Sequence, residues 1–402
     1  MKAYIRLVSL VASLALATSC GAKKEHPGKS IGIEAYPGVR DLYQFVESKR
    51  QKHGLPALGV GFVRDGRIIG LGVAGERALG TGNWATVDDR FNVGSCAKSF
   101  TATAAAMLVE KGVVRWDMTI KEVFPDLKRS MLPVYSDVTL EMLLRHRSGL
   151  ESWMSRKDRW LQWRSDHAKL TARESRRAFT AKVLQDRPRH APGAEFYYCN
   201  DGYLVAASMI EEVSGKAWEE IVHALLFEPL GLRSMRYGFP PANETAVVSG
   251  HGTASFFWSR TVPVRHEPEK YGDPPFGSPG GTLYTSVADL LRYLDFHIQG
   301  ANGNSTLLGR DSFERLYTPL GDVGYALGWN VEIKRDRQGK TVERSIFHGG
   351  SSGGDQANMW FCPESRAGTV IVYNLGADDK LDAYREIFYA LLREFEPRGS
   401  KP

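Results

Sequence analysis

The chain has 402 residues, 43% of them hydrophobic and 24% charged, with a formal net charge of +6. It shows no internal repeat and no long low-complexity tract, and its length exceeds what one simple core holds. Four cysteines are few for a disulfide-built secreted scaffold, and ten scattered histidines without H-E-x-x-H or Cys/His spacing give no support to a metal or cofactor.

Residues 1–19 carry Lys2 and Arg6, then an apolar run at 7–17 and small residues, the pattern of a secretory signal too short to span a membrane. Leu16-Ala17-Thr18-Ser19-Cys20 resembles a bacterial lipobox, so Cys20 is the expected lipidated residue and the protein is expected on the cell envelope, facing the periplasm or exterior. Residues 20–38 are polar with glycine and proline and read as a tether. A helix is predicted at 40–53, and a hairpin from 57–63 and 67–73 around Asp65-Gly66. Residues 99–111 are alanine-rich and apolar enough for a buried helix, with Ser95 in its first turn.

Residues 95–232 read as a mainly helical inserted lobe between two parts of an α/β lobe, 39–94 and 233–397. Within the helical stretch, residues 155–190 hold eleven Lys or Arg against four Asp or Glu, which accounts for the whole basic excess. With Trp153, Trp160 and Trp163 beside it, this run is either a solvated helical face or a basic, aromatic lid; an export signal and no binding motif argue against nucleic acid. Later strands are predicted at 325–332, 344–348, 356–361 and 368–373, closed by a helix at 383–395. The fold class expected is α+β, an antiparallel sheet flanked by helices plus the helical lobe, with the site between them.

The chemistry concentrates at Phe91-Asn92-Val93-Gly94-Ser95-Cys96-Ala97-Lys98, where one helical turn puts Lys98 on the same face as Ser95. A serine hydroxyl is a poor nucleophile at neutral pH, and a desolvated lysine held neutral can take its proton. Further along, Tyr198-Cys199-Asn200 precedes an apolar helix, and Phe347-His348-Gly349-Gly350 follows a candidate strand. Three more segments complete the set: Leu143-Leu144-Arg145-His146-Arg147-Ser148-Gly149-Leu150, Pro279-Gly280-Gly281-Thr282-Leu283-Tyr284-Thr285-Ser286-Val287-Ala288-Asp289-Leu290, and Tyr325-Ala326-Leu327-Gly328-Trp329, the last read as a strand. In this order the motifs resemble the serine β-lactamase and penicillin-binding protein superfamily, in the class C-like branch that includes D-Ala-D-Ala carboxypeptidases and carboxylesterases. The likeness runs from about residue 38 to 395.

The resemblance implies a β-lactamase/transpeptidase-like fold and an acyl-enzyme at Ser95, with no cofactor. It makes Lys98 the base or the charge that lowers a tyrosine pKa, and Tyr198 the proton shuttle, with coupled titration of the two as the other description. Asn200 would hold the substrate amide or the lysine. His348 stands where many relatives carry a strand lysine, Gly349 and Gly350 allow close approach of substrate, and the N–H groups of Ser95 and Ser351 would form an oxyanion hole. Gly349 replaces a usual Thr or Ser, which removes a hydroxyl that helps relatives bind a carboxylate. His348 would be fully charged only below about 6.5. A small neutral ester or amide therefore leads as substrate, with D-Ala-D-Ala carboxypeptidase or β-lactamase activity next; a catalytically silent peptidoglycan-binding protein is the reading from another class. Gly350-Ser351-Ser352-Gly353-Gly354 also fits G-x-S-x-G, but no histidine follows His348, so Ser352 lacks a triad partner and reads as part of a glycine-rich turn. Cys96, Cys199 and Cys362 are expected as buried free thiols.

Overall fold

The computed structural model describes residues 27–152, 163, 166–167, 169–241, 244–255, 259–263, 275–321, 323–352, 354–376 and 381–395. Cys20 and the signal, with Trp153, Trp160 and part of the basic run, lie outside the described residues. Strands in chain order are β1 (Arg40–Asp41), β2 (Ala57–Arg64), β3 (Arg67–Gly75), β4 (Phe91–Asn92), β5 (Arg236–Tyr237) and β6 (His251–Ser255). They continue as β7 (Ser259–Pro263), β8 (Leu283–Thr285), β9 (Asn330–Arg335), β10 (Thr341–Ser351), β11 (Gln356–Cys362) and β12 (Ala367–Tyr373).

Seven of these form one sheet in the order β1-β3-β2-β12-β11-β10-β9. Its pairings are antiparallel except at the edge, where β1 runs parallel to β3, so the sheet is mixed. The expected helix at 40–53 accordingly begins late, as Tyr43–His53: Arg40 and Asp41 pair with Gly70 and Leu71 instead. The β2–β3 hairpin turns at Asp65 and Gly66, both with positive φ, 48° and 81°, the backbone of a type I′ turn.

β2 and β12 are buried almost throughout because helices cover both faces of the sheet. Leu58, Val60 and Phe62 face outward into a core shared with the Tyr43–His53 and Leu381–Phe395 helices. The alternate positions Gly59 and Gly61 face the Val287–Ala301 helix. A Cβ at Gly61 would lie 2.4 Å from Leu291, so the absent side chains let that helix rest on the strand backbone.

On that inner side lies the Ala97–Glu110 helix, with twelve of its fourteen residues buried. Between it and β5 the described elements are helices, among them Leu140–Leu144, Ala172–Val183, Asn200–Ser214 and Trp218–Val222. The Ala172–Val183 helix carries part of the basic run, and its arginines are engaged rather than simply solvated. Arg176 is fully buried on Glu211 (2.6 Å) and Glu219 (2.7 Å), and Arg177 reaches Asp126 at 2.6 Å. Among the described residues no helix is long and apolar enough to cross a membrane.

Two later elements differ from the sequence reading. Tyr325–Trp329 is a turn, not a strand: Ala326 N–H bonds Trp329 O, Gly328 has φ 75°, and β9 begins only at Asn330. His348 and Gly349 lie inside β10, which runs on to Ser351.

Candidate active site

The turn bearing Ser95 is a short 3-10 segment, Gly94–Cys96, that feeds the Ala97–Glu110 helix. Asn92 Oδ1 accepts the Gly94 N–H at 2.8 Å and closes it. A Cβ at Gly94 would lie 2.6 Å from Ser351 N, and one at Gly350 would lie 2.0 Å from Val93 O and 2.8 Å from Ser95 N. The serine turn and β10 therefore touch backbone to backbone, which only glycine allows. The main-chain nitrogens of Ser95 and Ser351 flank this contact. Cys96 points the other way: its thiol donates to His348 O at 3.2 Å, and burial pushes its pKa up to about 12.

Lys98 is 0% exposed. Its Nζ lies 3.0 Å from Ser95 Oγ, 2.6 Å from Asn200 Oδ1 and 2.6 Å from Gly280 O. The Tyr198 and Tyr203 rings sit 4.9 and 5.5 Å from it. Every direct hydrogen-bonding neighbour in this shell is uncharged. Burial therefore lowers the amine to about 7, against smaller opposing effects of Cys199, Cys96 and Asp201. Thr101 and Lys98 bond the carbonyls of Pro279 and Gly280, so the Pro-Gly-Gly segment serves as an acceptor wall.

Tyr198 and Asn200 arrive together because Asn200 is the first residue of the Asn200–Ser214 helix. Tyr198 is 38% exposed and its hydroxyl is near enough to the Ser95 hydroxyl to feel it. Desolvation raises its pKa above the ordinary tyrosine value, with the Ser95 hydroxyl opposing. Cys199 is buried, and all three described cysteines are free thiols.

His348 is buried, with Nδ1 2.7 Å from Gly349 O and Nε2 3.3 Å from Tyr325 Oη. Nδ1 must donate to a carbonyl, so Nε2 is the acceptor and takes the Tyr325 hydroxyl. Burial, and then the Lys98 charge, lower its pKa to about 3. This imidazole is uncharged at neutral pH. Gly349 and Ser351 are exposed on β10; Asn358 Oδ1 lies 3.2 Å from where a Gly349 Cβ would be, and Gln356 donates to Ser351 Oγ at 3.0 Å. β9 pairs with β10 only as far as Phe347, which leaves the His348–Ser351 edge without a β9 partner.

The structure thus brings Ser95, Lys98, Tyr198, Asn200, His348, Gly349, Gly350 and Ser351 to one cleft. Ser352 belongs to the connection from β10 to β11, where its N–H bonds Asp355 O at 3.2 Å. Two contributors were quoted in the sequence motifs without a role. Tyr325 reaches the cleft because Gly328 packs on the Ser95 helix, a Cβ there meeting Lys98 O at 2.8 Å. His146 lies beneath Tyr198, with ring centroids 4.3 Å apart. Asp289, from a third motif, accepts from Ser234 N–H and hydroxyl at 2.7 and 2.6 Å and is architectural. Among the described residues no three His, Cys, Asp or Glu side chains gather as a metal site requires.

A family model described as Beta-lactamase matches residues 42–394. Penicillin-binding protein 4 of Amycolatopsis lactamdurans is 28% identical over 258 residues, 63% of this chain and 62% of that protein. The matched part therefore spans less than two thirds of that relative's length. A solved class C beta-lactamase superposes with a TM-score of 0.68 at 19% identity, covering 89% of this chain and 96% of its own. The D-amino acid amidase from Ochrobactrum anthropi SV3, complexed with L-phenylalanine amide, superposes with a TM-score of 0.66 at 21% identity, covering 87% and 97%.

Proposed function

This chain belongs to the beta-lactamase family, and on that premise we propose that it hydrolyses small neutral esters and amides through an acyl-enzyme at Ser95. One observation carries the reading: a fully buried lysine amine, lowered to about 7, lies 3.0 Å from the serine hydroxyl. Near neutral pH a large fraction of such amines is unprotonated and can accept a proton.

In the proposed cycle Lys98 Nζ takes the Ser95 proton as Oγ attacks the carbonyl carbon, and the oxyanion settles on the Ser95 and Ser351 N–H groups. As the tetrahedral species collapses, Tyr198 gives its proton to the departing oxygen or nitrogen and regains one from the Lys98 ammonium. Water then attacks the acyl-enzyme; its proton passes to the same pair and returns to Ser95 Oγ. The raised Tyr198 and lowered Lys98 values support Lys98 as the base and Tyr198 as the acid in the resting site. Asn200 Oδ1 orients the amine.

Substrate charge follows from β10. An uncharged His348, and no hydroxyl at Gly349, leave the His348–Ser351 stretch of that strand without a cation or a hydroxyl at position 349 for a substrate carboxylate. A peptide-like or β-lactam substrate is the second reading, supported by the names of the relatives above. We further propose that Cys20 carries a lipid anchor; Cys20→Ser should move the protein from the membrane fraction to the soluble one.

The test is hydrolysis of p-nitrophenyl butyrate by residues 21–402 beside the Ser95→Ala variant. Activity that vanishes with Ser95 supports the reading and opens a screen through D-amino amides, D-Ala peptides and β-lactams. Equal cleavage by both proteins would show that the site is elsewhere, and no cleavage by either would remove the ester reading.

A further inference from the structure

Tyr198 is held from both sides by one residue. His146 sits in the turn after the Leu140–Leu144 helix with a left-handed backbone, φ 57°. Its carbonyl oxygen accepts the Tyr197 N–H at 2.8 Å. Its ring Nδ1 accepts the Cys199 N–H at 3.1 Å. These two bonds fix the Phe196–Tyr197 and Tyr198–Cys199 peptide units, one on each side of Tyr198, from a residue 53 positions away from Cys199.

The ring state is set by the same contact. A nitrogen that accepts an N–H carries no proton of its own, so the ring proton is on Nε2. There it is buried with no hydrogen-bond partner among the described residues, beside the Tyr203 and Tyr325 rings at centroid distances of 5.1 and 4.8 Å. Leaving a buried donor unsatisfied is costly, and the protein accepts that cost while keeping the Nδ1 bond. Burial, followed by Lys98 and His348, holds the ring pKa well below its ordinary value, so the acceptor lone pair persists.

We propose that His146 is a positioning residue for proton transfer: as a neutral Nδ1 acceptor it fixes the Tyr197–Cys199 backbone so that the Tyr198 hydroxyl stays directed toward Ser95. This rests on the reading of Tyr198 as proton carrier. Misplacing a catalytic group by about 1 Å can cost about 100-fold in rate. The cost should therefore fall on kcat and leave the substrate's own contacts intact.

His146→Leu approximates the ring's volume without an acceptor; His146→Asn keeps an acceptor and suits a positive φ. The expected result is a kcat about 100-fold down for H146L with KM within about threefold, and a kcat within about tenfold of the parent for H146N. Thermal unfolding confirms folding, and H146G, whose backbone accepts φ 57°, replaces H146L should that chain not fold. The decisive comparison is with Tyr198→Phe. If His146 acts through Tyr198, the double variant H146L/Y198F should be no slower than Y198F by more than about threefold. Losses that multiply, or an H146L enzyme with parental kcat beside an impaired Y198F, would overturn the inference while leaving the function reading in place. A fully active Y198F would instead remove Tyr198 from the mechanism, and the inference with it.

Discussion

Among the described residues Arg176 and Lys98 are cations buried completely, and they have opposite fates. Arg176, in the helical part, lies against the carboxylates of Glu211 and Glu219 at 2.6 and 2.7 Å. Burial works against its charge, but Glu219 and Glu211 outweigh it and its pKa is raised. Lys98, in the cleft, meets a serine hydroxyl, an asparagine carbonyl and a peptide carbonyl, and its pKa falls to about 7. Dipoles can solvate a proton on an amine, but they do not repay desolvation as a full countercharge does. Carboxylate partners make a buried cation a permanent fastening; neutral partners make it a group that changes state near neutral pH.

The contrast breaks most sharply by exchanging chemistry at Lys98. Lys98→Ala should lower acylation by at least about 100-fold, and Lys98→Arg should do no better, because a guanidinium cannot give up its proton. Burst kinetics with p-nitrophenyl butyrate read this directly, and an active K98R enzyme would end the comparison. Arg176→Ala should do the reverse. It leaves the buried Glu211 and the half-buried Glu219 without their arginine, costs about 3–5 kcal/mol of stability in denaturant unfolding, and leaves kcat per folded molecule unchanged.

A pH series sharpens the same point. The rate kcat/KM should rise through an apparent pKa near 7 as Lys98 loses its proton. The stability effect has a definite sign. The unfolded lysine, at about 10.5, binds more protons than the folded one between pH 7 and 10.5, so this group adds stability as pH rises across that window. Lys98→Met should lack that part of the slope. The smallest expected effect is at His348: already uncharged, it should add no second transition near pH 6.5 to the single one of Lys98.

The sequence exposed much of the site because its chemistry is local. Ser95 and Lys98 are one helical turn apart, and Tyr198 and Asn200 flank one helix start. Glycines such as Gly61 give no warning of which helix will rest on them. His146 escaped because its work is done through peptide groups at Tyr197 and Cys199, which carry no side-chain signature. Tyr325–Trp329 alternates like a strand, but Gly328 at φ 75° turns it, and the close approach to Lys98 O that demands this is a tertiary fact. The charge run at 155–190 suggested a solvated face or a lid; composition shows neither that Arg176 is sealed between two glutamates nor that Arg177 reaches Asp126.

The packing of the three described thiols has a practical use. Cys96, Cys199 and Cys362 are all buried and free, and burial raises the pKa of each. A maleimide should therefore modify residues 21–402 only when the chain opens. The rate of labelling, followed residue by residue by mass spectrometry, would report how often the floor of the cleft around Cys96 and Cys199 breathes compared with the far end of β11 at Cys362.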